Sequence, residues 1–62
     1  MYRPYEIKFL NYAVYSAGIT PVDALENAID SGNVFVPFGE EIEIVVTNQN
    51  TNISMKFTIL KN

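Results

Sequence analysis

Glu41-Ile42-Glu43-Ile44-Val45-Val46-Thr47, then Asn48-Gln49-Asn50-Thr51-Asn52, then Ile53-Ser54-Met55-Lys56-Phe57-Thr58-Ile59-Leu60: this stretch decides how the chain folds. Both outer runs alternate apolar and polar residues with the period of two that a half-buried strand needs. A reversal centred on Asn50-Thr51 sets Val46 against Met55, Ile44 against Phe57 and Ile42 against Ile59, all on one face. The other face then pairs Val45 with Lys56 and Glu43 with Thr58. A slip of one residue would oppose apolar and polar side chains along the ladder, so the register is well specified. Glu41–Leu60 is therefore a β-hairpin. Its turn has no Gly, and Asn is the next best residue for positive φ. A mobile, solvated turn is expected.

Upstream, Val34-Phe35-Val36-Pro37-Phe38 is a short apolar run. Pro37 cannot donate a ladder hydrogen bond, so the run predicts a short or edge strand. Phe38-Gly39-Glu40 turns the chain into the hairpin. Before that comes a helix, with Thr20 as N-cap, Pro21 at the first helical position and Asp23 at N3. Its predicted apolar stripe is Val22, Leu25, Ala28 and Ile29. The helix ends near Asp30 or Ser31, and Gly32 supplies the stop. A helix of about ten residues does not hold alone in water, so it must pack on the sheet.

Tyr5–Ser16 predicts one long strand. Tyr5, Ile7 and Phe9 share a face, with Glu6 and Lys8 on the other; from Leu10 onward both faces become largely apolar. At about 3.3 Å per residue the strand would span roughly 40 Å. It must bend near Asn11 or be covered on both faces, most simply by a second copy of the chain. The fold class expected is thus α+β: one β-α-β-β-β domain over residues 1–62. It has an antiparallel sheet, a C-terminal β-hairpin and one short helix packed on it.

The succession of strand, short helix and acidic hairpin resembles the swapped-hairpin domains of bacterial transition-state regulators and of some antitoxins. The likeness rests on Ile19-Thr20-Pro21, on Gly39-Glu40-Glu41-Ile42-Glu43-Ile44 and on the closing strand, over Val14–Leu60. Two chains of those domains interleave their hairpins into one DNA-binding barrel. The Val34–Phe38 run has no counterpart there, and the basic residues presented to DNA are missing near Gly18 and Thr20. What the resemblance implies here is an intertwined dimer or higher oligomer.

Composition points the same way. So short a chain buries only about 60% of its unfolded surface, and small domains usually add a disulfide, a metal or a partner subunit. There is no Cys and no His, which excludes disulfides and ordinary zinc, copper or haem sites. Self-association remains, and an apolar fraction of 48% with four Tyr and four Phe supports it. No apolar segment follows Met1-Tyr2-Arg3-Pro4 as in a signal peptide, and no run reaches the roughly 20 apolar residues of a membrane span. A cytoplasmic protein without membrane contact is expected.

The net charge is −3 and unevenly spread. Asp23, Glu26, Asp30, Glu40, Glu41 and Glu43 lie between Thr20 and Glu43 with no Lys or Arg among them. Arg3, Lys8, Lys56 and Lys61 flank this segment. The acids either keep an apolar protein soluble or form a face for a basic partner. Four basic residues make no nucleic-acid stripe, so nucleic acid is disfavoured, although Tyr5, Phe9, Tyr12 and Tyr15 could stack on unpaired bases. Without His or Cys, the commonest general base and the usual nucleophile pairs are missing, and Ser16, Ser31 and Ser54 have no base at readable spacing. Glu40, Glu41 and Glu43 could in principle hold Mg²⁺, yet Glu41 and Glu43 share a strand face that Glu40 does not, and turn solvation is the better reading. No catalytic residue, metal or cofactor is expected.

The function expected is therefore non-enzymatic. A small acidic homo-oligomer would bind a larger protein with a basic surface and inhibit or adapt it, as stand-alone proteins of phages and mobile elements do. Asp30, Glu40, Glu41 and Glu43 are the candidate charged contacts, and Phe35 and Phe38 the candidate apolar anchor. The alternatives are a nucleic-acid-binding homodimer of swapped-hairpin or strand-platform type, using Arg3, Lys8 and Lys56, and a structural self-assembling subunit.

Overall fold

A computed structural model describes residues 1–61 of the chain. The element order is β1 (Arg3–Phe9), β2 (Tyr12–Gly18), α1 (Pro21–Asp30), β3 (Glu41–Asn48) and β4 (Ser54–Leu60). The strands form one antiparallel sheet in the order β2-β1-β3-β4. Architecture is thus α+β, but the order is β-β-α-β-β rather than β-α-β-β-β. Both hairpins close within a single chain.

The C-terminal hairpin has the register its alternation dictates, with Val46 opposite Met55, Ile44 opposite Phe57 and Ile42 opposite Ile59. Asn52 takes the positive φ, at 61°. The turn is braced: the buried Asn48 accepts from the Asn50 and Thr51 amides at 2.8 and 3.2 Å, and the Gln49 amide donates to the Pro4 carbonyl at 3.0 Å.

The single long first strand is corrected to a hairpin. Leu10 and Asn11 form a two-residue turn between Phe9 and Tyr12, and Leu10 takes φ = 52°. The pairing sets Ile7 against Val14 and Tyr5 against Ser16. The core-facing set therefore passes from odd to even numbers across the turn. That change of phase is what makes the segment beyond Leu10 look apolar on both faces. β2 is an edge strand, and Tyr12 and Tyr15 are exposed on its two sides.

Val34–Phe38 is also not a strand. The helix ends in a Schellman motif: Gly32 takes φ = 81°, its amide donates to Ile29, and the Asn33 amide donates to Ala28 at 2.9 Å. The Val34 amide bonds the same Ala28 carbonyl at 3.2 Å. The segment is thereby tied to the helix end instead of the sheet, and Pro37 has no N–H with which to join a ladder. One bridge, Phe38 to Lys61, touches strand-like pairing.

The helix begins as predicted. The Thr20 hydroxyl accepts from the Asp23 amide at 3.1 Å, and the Asp23 carboxylate accepts from the Ile19 amide at 2.9 Å. Its buried residues are Ala24, Leu25 and Ala28, while Val22 and Ile29 stay exposed. Gly18 explains this rotation of the stripe. A Cβ on Gly18 would lie 2.4 Å from the Ala24 nitrogen, so the helix backbone rests directly on the strand at this point.

The core is then one layer deep. Tyr5, Ile7, Phe9, Ile42, Ile44 and Val46 rise from the sheet, Ala24, Leu25 and Ala28 descend from the helix, and Val34 and Val36 enter from the connector. Phe57 and Ile59 of β4 are only partly covered, and Met55 is 46% exposed. The helix contacts β2, β1 and β3 but leaves β4 largely bare. No helix among the described residues is long and apolar enough to cross a membrane.

Candidate interaction surface

The connector from Asn33 to Glu40 alternates without being a strand. Val34 and Val36 turn into the core, so Phe35 must face outward, at 68% exposure. Phe38 is 72% exposed. Its ring carries the Lys61 ammonium 4.6 Å from its centroid. Gly39, at φ = 75°, reverses the chain here and donates its amide to the Lys61 carbonyl at 2.8 Å. The two candidate anchors are thus held on a backbone fixed at both ends: by the helix cap at one and by the end of β4 at the other.

Two hollows flank Phe35. A groove of about 400 Å³ runs between the connector and β4, with Ile29, Val34, Val36, Ile59 and Leu60 in its walls. A smaller hollow of about 230 Å³ lies on the other side, against Phe9, Leu10 and Tyr12. Phe35 borders both. Their linings are mainly apolar side chains without acids, so they suit apolar groups rather than ions.

The candidate acids do not form one patch. Asp30 ends the helix and Glu40 sits in the turn before β3, so these two lie at either end of the connector. Glu41 and Glu43 alternate with the buried Ile42 and therefore point to the uncovered face of the sheet. Glu43 lies 4.0 Å from Lys56 there. Lys8 lies 3.8 Å from Glu6 on the same face. Lys8, Val45 and Lys56 occupy one row across three strands, with Glu6 and Glu43 in the rows beside it. Charges of both signs are interspersed, as on a solvated surface. Arg3, on the opposite side of the β1 alternation, does not join this row.

Of the three serines, Ser31 donates to the Ala28 carbonyl at 3.1 Å, and Ser54 shares a 2.8 Å bond with Thr47. Among the described residues, no group of three His, Cys, Asp or Glu side chains could hold a metal ion. Asn27 is a residue that sequence reasoning missed. Its amide nitrogen donates to the Ala17 carbonyl at 2.8 Å, binding the helix to the edge of β2. Its place on the polar side of the predicted stripe concealed this role.

Comparison with known proteins gives no match to a family model, a curated protein or a solved structure.

Proposed function

We propose that this chain is a non-enzymatic interaction protein that engages a larger protein through its connector and thereby blocks or adapts it. The observation that supports the reading is the outward display of Phe35 and Phe38 on a connector whose other side is anchored in the core. Because the connector backbone is already fixed at both ends, binding need order only the side-chain torsions of the two rings, and aromatic residues dominate interface energetics. Each anchor has an acid nearby in the chain, Asp30 before Phe35 and Glu40 after Phe38. A partner with an apolar recess and a basic rim fits that arrangement. Glu41 and Glu43, on the other face of the sheet, become secondary contacts or solubilising groups.

The test is capture with the full chain from a nuclease-treated lysate of its own host, run in parallel with the F35A/F38A variant. Both rings are exposed, so circular dichroism should be unchanged by the substitutions. A stoichiometric protein retained by the wild type, lost from F35A/F38A and weakened by E40K supports the reading. A partner retained equally by all three, or none retained by the wild type, contradicts it.

A further inference from the structure

The backbone of β4 is not fully used by the fold. In an antiparallel ladder, successive residues turn their N–H and C=O groups alternately toward and away from the neighbouring strand. The Asn48 amide donates to the Ile53 carbonyl at 2.9 Å, which makes Asn48–Ile53 a hydrogen-bonded pair. Continuing the alternation, Met55, Phe57 and Ile59 bond β3, whereas Ser54, Lys56, Thr58 and Leu60 turn their backbone groups outward. The same reasoning turns Ala17 outward on β2, and Asn27 occupies its carbonyl. The helix rests on Gly18 beside it. Among the described residues, only the β4 edge is free along its whole strand, and such an edge is a template for another strand.

We propose that this edge pairs with the β4 of a second copy of the chain, antiparallel, about a two-fold axis through Phe57. In this register Lys56 opposes Thr58 of the second copy, and Ser54 opposes Leu60. All four turn their backbone groups outward, so each pair exchanges both of its hydrogen bonds. On the helix-covered face, Phe57 meets its own copy and Met55 meets Ile59. These are the side chains that the helix leaves incompletely covered.

Charge complementarity selects the same partner. Glu43 already lies 4.0 Å from Lys56 of its own chain, and it opposes Thr58. Pairing puts the second copy's Lys56 next beyond Thr58 in that row, about 10 Å from Glu43 along the sheet. Long side chains span that distance, so each Glu43 stands between two lysines, and the two Glu43–Lys56 attractions offset the diagonal approach of the two Lys56 side chains, about 7–8 Å apart across the axis. β4 itself contains no acid, which lets a chain of net charge −3 approach its copy here without opposing carboxylates. The two neighbouring symmetric registers are worse. An axis through Lys56 would oppose two like charges, and one through Thr58 would set Met55 against Lys61. The result is one continuous sheet across an isologous interface, with the strands side by side and not interleaved.

Sedimentation equilibrium of the full chain over micromolar to millimolar concentration tests this. The wild type should reach twice the 7.0 kDa monomer mass. Thr58→Pro removes an outward amide that β3 does not use, and should leave a folded monomer. Lys56→Glu should weaken association by about tenfold, because each substitution acts twice across the axis. The E43K/K56E exchange should restore it. A wild type that stays monomeric throughout overturns the proposal. So does association of K56E as tight as that of the wild type, whether or not T58P folds.

Discussion

The two hairpins of this sheet are built alike and treated differently. The N-terminal one carries the helix: Gly18 admits its backbone, Asn27 caps the Ala17 carbonyl, and Tyr5, Ile7 and Phe9 are buried beneath it. The C-terminal one contributes Ile42, Ile44 and Val46 to the core through β3 but leaves β4 with one face half covered and one edge unpaired. One short helix cannot cover four strands, so the chain concentrates its packing at one end. Stability should therefore depend on the covered half, and association on the bare one.

Substitutions can break that division. The largest effect belongs to Gly18→Val, whose Cβ would meet the Ala24 backbone at 2.4 Å. The helix must lift, and thermal denaturation should show a loss of about 3 kcal/mol or complete unfolding. Next, Leu25→Ala should cost about 3 kcal/mol by denaturant unfolding, since it empties a buried site between helix and sheet. Met55→Ala, on the bare strand, should cost less than about 1 kcal/mol at concentrations where the protein is monomeric. Equal losses at the two sites would erase the distinction between the halves. Asn27→Ala should cost about 1 kcal/mol, by removing a hydrogen bond that ties the helix to the edge of β2.

The smallest effect is a gain in stability, at the turn of the N-terminal hairpin. Leu10 occupies a positive-φ position that favours glycine, whereas the turn of the second hairpin gives that conformation to Asn52. Leu10→Gly should raise stability by roughly 0.5–1 kcal/mol, seen as a higher denaturation midpoint.

The same contrast governs how much of the molecule is legible in its sequence. The C-terminal hairpin is legible because its two runs alternate in one phase and its turn is rich in Asn. The helix is legible because Thr20-Pro21 opens it and Gly32 closes it. The N-terminal hairpin is not, because Leu10 stands where a turn residue belongs and no Gly marks the reversal. Its trace is the move of apolar positions from Tyr5, Ile7 and Phe9 to Tyr12 and Val14, blurred by Ala13, Tyr15 and Ala17 on the other face. Val34–Phe38 looks like a strand because Val34 and Val36 are core residues. The bond from the Val34 amide to the helix end depends on the Schellman geometry, which hydropathy does not register. For the candidate surface, the exposure of Phe35 and Phe38 follows from that alternation. The separation of Glu41 and Glu43 from Asp30 follows from the strand phase of Ile42 and Ile44, and charge counting alone does not register it.

Amide hydrogen exchange along β4, measured residue by residue at low and high protein concentration, distinguishes an edge left free from one that pairs with a second copy. The amides of Met55, Phe57 and Ile59 should be protected at every concentration, because β3 holds them. Those of Lys56 and Thr58 should exchange rapidly in dilute solution and slow markedly as the concentration rises and the edges pair. Protection of Lys56 and Thr58 in the dilute monomer would mean that the edge is already covered. Rapid exchange at all concentrations would mean that no second copy docks there.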